Sequence, residues 1–438
     1  MNAFTNIVLC LLSLFATGST LQAQSAITSP ITIPLYHPTT GDSTSITKWG
    51  IYLSIGGGTT PALFEVDTGG TGFYAAYATN SASPWWGTDV VTNNPVNGTN
   101  AYESGLTYSG ASVFSSVTFW SNPSNSSFSS SGNLLVGQST SIVEISTNAT
   151  SGLVTTTPLW TNTGEVIPDT PPIQQAFFGD FGLSLQSSSN ALVNLIAQMQ
   201  FTNGVIPGFV VHAPLNGTNG YLQIGLNASQ TNTPGYNYLA MNLDANGGTF
   251  TNTQISYKAE ALISSTLTIQ DHGTSIYTNS IDLIADTGAH PNLHYSSSNP
   301  PATLTDKISD GILTNDLSVT FTATDTSGSN ITLQSFTTST NGSTSEYDRN
   351  RAEVMAAPKS DGSSYNTGLF FFNQHDDVIY DLQNGTVGLS PLAVPEPSAS
   401  LLFLAGLGAL LLWKITAKSP HVTKLGNPPA SIHRRINT

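Results

Sequence analysis

FEVDTGGTGFYA (Phe64–Ala75) and DLIADTGAHPNLHY (Asp282–Tyr295) each place Asp-Thr-Gly directly after an apolar run of strand character. The glycine lets the chain turn sharply where the strand stops, so Asp67 and Asp286 are expected at two strand ends. With 18 Asp, 57 Thr and 39 Gly in 438 residues, chance supplies about 0.2 copies of this tripeptide. A second copy with the same apolar lead-in therefore marks an internal repeat. Two carboxylates held close cannot both ionise; they share one proton and titrate as a coupled unit. The ionised partner can take a proton from a water between them while the protonated one polarises a carbonyl.

Around this repeat the chain is acidic, with 26 Asp+Glu against 11 Lys+Arg, a formal net charge of −15. No Lys or Arg occurs between Lys48 and Lys258, where nine acids do. Such a surface repels polyanions, because nucleic-acid binding rests on cations that displace counterions from phosphates. Nucleic acid is thereby excluded as a partner.

The ends differ from the body. Asn6–Ala16 (NIVLCLLSLFA) is a short apolar run followed by small and polar residues, which suits a secretory signal over residues 1–25 better than a membrane span. The single Cys10 lies inside it, so the mature chain would have neither disulfides nor a thiol nucleophile. At the other end, Val394-Pro395-Glu396-Pro397-Ser398, a Gly-containing apolar stretch to Trp413, and then Lys414, Lys418, Lys424, Arg434 and Arg435 closely resemble a PEP-CTERM sorting tail. The resemblance covers 393–438. It implies a transmembrane helix before processing, an exosortase as processing partner, and delivery to the envelope, surface or extracellular matrix of a Gram-negative-type bacterium. The basic residues are more dispersed than in that family, and an ordinary C-terminal anchor helix is the alternative. Without the ends, residues 27–392 carry 25 acidic and 6 basic residues, or −19.

The body is dense in Thr, Ser, Asn and Gly, with short alternating runs such as SVTFW (Ser116–Trp120) and TLTIQ (Thr266–Gln270), the pattern of strands joined by turns. Helical spacing is scarce; Leu192, Leu195, Ile196 and Met199 give the best case, a helix over Ser189–Phe201. Segments 121–135 and 337–345 read as loops. Taken alone, this body fits a β-helix, an adhesin or a sandwich equally well.

Two Asp-Thr-Gly turns in a β-rich exported chain of this size resemble a pepsin-like aspartic peptidase of the A1 type. The resemblance runs from about Ile46 to Leu392. It implies an all-β, bilobal double β-barrel with a few short helices, a first lobe over 27–245 and a second over 246–392. It also implies an endopeptidase in which Asp67 and Asp286 activate water against a peptide carbonyl of a polypeptide substrate, with no cofactor and no metal. Thr68 and Thr287 would cross-bond the two turns, and Gly69 and Gly288 would complete the support of the dyad. LTYSGASVFSSVTF (Leu106–Phe119) resembles the flap hairpin, which makes Tyr108 the flap tyrosine, Tyr74 its aromatic partner, and Gly110 part of the substrate-binding edge. NTGLFFFNQHDDVIYDLQNGTVGLSP (Asn366–Pro391) resembles the closing strands.

Three departures stand out. Gly70 and Ala289 follow the motifs where the family has a hydroxyl that donates to the outer carboxylate oxygen, so an ionised Asp loses a donor and its pKa should rise. His290 and His294 follow the second motif; a protonated His290 beside the dyad would depress the shared pKa, whereas a loop histidine facing solvent would not. A metal reading of Asp286, His290 and His294 with His375, Asp376 and Asp377 is opposed by Gly288 and Pro291, which spoil helical presentation. Polar Asn366-Thr367 precede Gly368 where the family is apolar. These departures keep a rival open: an inactive pepsin-like protein that binds or builds the envelope or matrix. Carbohydrate hydrolysis by paired acids is chemically possible, with no further support in the chain.

Overall fold

Alternation writes the strands directly. In Ile263–Asp271 the side chains of Ile263, Ser265, Leu267 and Ile269 are buried while those between them face outward, and Leu317–Thr324 repeats the pattern. The computed structural model describes residues 25–38, 48–78, 83–102, 104–130, 134–147, 153–161, 171–188, 192–213, 219–251, 253–289, 291–297, 299–339, 354–358 and 363–392. The segments expected to hold the signal and the sorting tail lie outside them, apart from Ser25. Among the described residues no helix is long and apolar enough to cross a membrane.

The described residues are mostly β, in three sheets. A ten-stranded sheet is built from strands between Gly50 and Gly182, and a nine-stranded sheet from strands between Ile263 and Asn366. A six-stranded sheet combines Ile31–Pro34, Ile206–His212, Tyr221–Leu226 and Asn237–Ala240 with Asp377–Asp381 and Thr386–Leu389. The expected β character is present; among the described strands none of these sheets closes on itself into a barrel, and the long sheets end on edges such as Asn125–Ser129 and Asn330–Thr337. Outward hydroxyls pair across strands, as in Thr118 with Ser129 (2.9 Å) and Thr320 with Ser335 (3.3 Å), which gives the Thr/Ser-rich composition a structural use. For the same reason the segment expected as a loop at 121–135 contains the strand Asn125–Ser129.

The halves share one local topology. Ala62–Asp67 runs out to its Asp-Thr-Gly, the chain turns back as Phe73–Ala76, and Gly179–Gly182 lies between them, parallel to the first strand and antiparallel to the second. Thr274–Ile284, Asn292–Tyr295 and Ser364–Asn366 repeat this around the second motif. Beneath the first motif Phe64, Phe73, Phe181 and Phe119 pack edge to face, with centroids 5.0–6.0 Å apart.

Two helical expectations change. The helix expected over Ser189–Phe201 is a single 3-10 turn, Ile196–Gln198, within the described part of that segment. Here the Asn194 Oδ1 accepts from the Ile196 and Ala197 N–H groups and the Gln198 amide bonds Leu135 and Val193, so side-chain bonds replace the helical ladder. Conversely, the aromatic run expected as a closing strand is a short α-helix, Gly368–Gln374. Its rings are sent to different neighbours: Phe370 to Phe336, Phe372 to Trp49, and Phe371 to His375.

Candidate active site

Each motif loop is tied to the other. The Thr68 N–H donates to Thr287 Oγ1 (3.1 Å) and the Thr287 N–H to Thr68 Oγ1 (2.9 Å). The hydroxyls pass their own protons on: Thr68 to the Ala285 carbonyl (2.7 Å), Thr287 to the Val66 carbonyl (2.6 Å). Thr287 is fully buried and Thr68 nearly so. Four bonds thus fix two strand ends against each other.

The same closeness seats the carboxyls. Asp67 Oδ1 accepts from the Gly69 and Gly70 N–H groups (2.8 Å each), and Asp286 Oδ1 from the Gly288 N–H (2.6 Å). A Cβ on Gly69 would stand 2.4 Å from Asp286 Cγ, and one on Gly288 would stand 2.3 Å from Asp67 Cγ. Each carboxyl therefore rests on the glycine of the opposite motif, and no other residue leaves that room. Asp286 Oδ2 accepts from Asn366 Nδ2 (2.6 Å). The Gly368 N–H donating to Asn366 Oδ1 (3.2 Å) fixes which end of that amide faces the carboxyl.

A scan against protein-family models matches none, and a search of curated proteins likewise finds no match. Among solved structures the chain is similar to the aspartic proteinase from Irpex lacteus, with 14% sequence identity and a TM-score of 0.46 over 85% of this chain and 100% of that one.

The hairpin expected around Tyr108 reverses earlier in the chain. Val90–Ala101 and Leu106–Ser115 pair antiparallel and reverse at Tyr102–Gly105, where Gly105 takes φ +89° and its N–H reaches the Tyr102 carbonyl (2.9 Å). Tyr108 and Gly110 therefore lie within a strand, opposite Asn100 and Gly98, and Tyr102 stands at the turn. Tyr108 is buried, stacked on Tyr74 with centroids 5.2 Å apart. A Cβ on Gly110 would lie 2.0 Å from the Gln138 carbonyl oxygen, so that glycine admits the neighbouring strand. Tyr102 instead packs edge-on to Tyr108 and its hydroxyl donates to Asp180 Oδ2 (2.5 Å).

A buried polar cluster lies under Asp67 that the sequence reading did not single out. Glu65, two residues before Asp67, pairs with Lys48, and Asp180 is paired in register with Glu65 and Tyr74. Burial, followed by the charge of Asp286, pushes the Asp67 carboxyl well above the usual carboxylate range. Asp180 is pushed the same way by burial and then by Glu65, and Glu65 is raised by burial against the opposing pull of Lys48. For Lys48 burial works downward, but Glu65 and its acidic neighbours outweigh it and hold the ammonium above its ordinary value. The signal available in the sequence was Asp180 itself, an acid inside the apolar run FFGDFGL.

These raised carboxyls set a pH dependence. A carboxyl whose folded value exceeds its unfolded one holds its proton longer in the folded chain, so its contribution is fully present below about pH 4 and is lost as pH rises through the folded value. Asp377 acts oppositely: burial raises it, but bonds from His212 (2.7 Å) and Tyr236 (2.7 Å) hold it below the usual range, and its contribution is lost in acid. Denaturant midpoints measured from about pH 4 to about pH 8 should therefore decline toward neutral pH, and less so in Asp67→Asn.

The remaining candidates do not assemble with the dyad. His290 lies outside the described residues. His294 is buried on Asn292–Tyr295, His375 bonds the Ser390 and Leu333 carbonyls, and Asp377 belongs to the His212 and Tyr236 pair. Among the described residues no group of three or more His, Cys, Asp or Glu is arranged to hold a metal ion.

Proposed function

We propose that the chain is an exported, pepsin-like aspartic endopeptidase. The observation that carries this reading is the mutual seating of Asp67 and Asp286, each carboxyl against the other motif's glycine and both loops locked by Thr68 and Thr287. Holding two carboxyls together works against their repulsion, and a scaffold has no need of it. Asp67 and Asp286 share one proton between them. The ionised carboxyl of the pair draws a proton from water as the water attacks a peptide carbonyl, while the protonated one hydrogen-bonds the carbonyl oxygen; the outer oxygen of Asp286 is held by Asn366. The dyad returns to its starting state when the amine leaves with a proton.

The substrate in this reading is an extended polypeptide lying beside the Tyr102–Gly105 turn, and the tail 393–438 acts as a PEP-CTERM sorting signal for an exosortase and the envelope. Cleavage of an unfolded protein by the parent chain, lost in Asp67→Asn and in Asp286→Asn, tests the peptidase. A parent chain that neither cleaves nor binds a pepstatin-type inhibitor would favour the rival binding or structural role. Mass spectrometry of the mature chain's ends tests the sorting signals.

A further inference from the structure

The register makes Asp180 and Asn366 counterparts. Asp180 lies opposite Glu65, two residues before Asp67, and Asn366 lies opposite Ile284, two residues before Asp286. Asn366 turns its amide onto Asp286 Oδ2. From the matching place, Asp180 faces Asp67: a Cβ on Gly70 would stand 2.8 Å from Asp67 Oδ2 and 2.9 Å from Asp180 Oδ2. Both oxygens border one small space, open only because residue 70 has no side chain.

Two anions bordering that space would repel, whereas a carboxylic acid beside a carboxylate bonds to it. The surroundings of Asp180 favour the acid. Its side chain is 2% exposed, and its Oδ1 has no hydrogen-bond partner among the described residues, an arrangement that is costly for a charged oxygen. The groups facing it are Glu65 with its partner Lys48, Asp67 and Asp286 from the motif loops, Tyr74 from the adjoining strand, and Tyr102 and Tyr108 from the hairpin. The one cation among them is already paired with Glu65. Tyr102 donates to Asp180 Oδ2, an oxygen that can accept that bond and still carry a proton of its own.

We propose that Asp180 is a positioning residue which, in its neutral form, donates a hydrogen bond to Asp67 Oδ2, directly or through one water, as Asn366 does to Asp286. The pair of outer oxygens is then held by one permanent donor and one titratable donor, and Asp180 supplies from the neighbouring strand what residue 70 lacks. Its catalytic meaning rests on the peptidase reading; its existence does not.

The test is a titration of ¹³C-labelled aspartate carboxyls by NMR in the parent, Asp180→Asn and Asp180→Ala chains, with Asp67→Asn and Asp286→Asn for assignment. One carboxyl should keep its proton well above the usual carboxylate range and vanish from the spectrum in Asp180→Asn. The dyad's apparent pKa should stay at the parent value in Asp180→Asn, which retains a donor, and rise by roughly one pH unit in Asp180→Ala, where ionised Asp67 loses it. A fall in Asp180→Asn would identify Asp180 as an anion and overturn the proposal. No movement in Asp180→Ala would reduce it to a packing residue. Should Asp180→Ala not fold, the isosteric Asn variant decides on its own. The pH profile of kcat/KM should follow the same order. A folded chain with no Asp67-dependent cleavage would overturn the peptidase reading, while the titration still judges the hydrogen bond.

Discussion

Asp67→Asn and Asp286→Asn should each lower cleavage of an unfolded protein at about pH 3–6 by 10²–10⁴-fold or more, the range that general acid–base groups contribute. Asn keeps the size of the side chain, so the Gly69, Gly70 and Gly288 N–H bonds to Oδ1 can persist and the fold with them. What disappears is the shared proton: an amide can neither take one from water nor hold one for the substrate carbonyl. Because the two carboxyls act as a unit, the double substitution should cost little more than either alone. Gly288→Ala is a steric counterpart, since its methyl would occupy the seat of the Asp67 carboxyl. Cleavage that persists in Asp67→Asn or Asp286→Asn would remove the pair from the chemistry.

Thr287→Val should destabilise the fold by about 2–5 kcal/mol, read from denaturant unfolding. Valine preserves the shape but leaves the Val66 carbonyl and the Thr68 N–H without the partners that Thr287 Oγ1 provides. Thr287 is 0% exposed, so water cannot replace them, and each orphaned group costs about 1–3 kcal/mol. Against a typical total of about 5–15 kcal/mol this is a large share. Thr287→Ser, which keeps the hydroxyl, should recover most of the loss. Thr68→Val should behave alike, and the double variant should be non-additive because the bonds form one network. A loss below about 0.5 kcal/mol, the ordinary range of a surface change, would mean that the cross-bonds hold nothing.

The parts of this molecule that could be read from sequence are those where the chemistry is local. The two Asp-Thr-Gly turns follow their strands, and strand alternation in Ile263–Asp271 is explicit in the residue order. Partners brought by distant strands were another matter. In the sequence Asn366 is only a polar residue where an apolar one is expected, and nothing within Ser364–Asn366 says that a parallel neighbour carries it to Asp286. Asp180 and Tyr102 meet across 78 residues through a strand threaded between two others. The local motif points to a hairpin at Tyr108, whereas the reversal is governed by Gly105 and the pairing of whole strands. Three successive phenylalanines favour a strand by propensity, but three separate aromatic neighbours are served only by a helical turn.

The buried Lys48–Glu65 pair has a bearing on resistance to proteolysis. From Trp49 to Tyr257 the chain offers no Lys or Arg, and the lysines that bound this stretch, Lys48 and Lys258, are 9% and 6% exposed. Trypsin-like enzymes must draw an extended segment with a cationic side chain into their cleft, and exposed loop tips are where they succeed. The half of the molecule that bears Asp67 presents them with no reachable bond. Its Ser- and Thr-rich loops can therefore be long without becoming points of attack for an enzyme of that specificity.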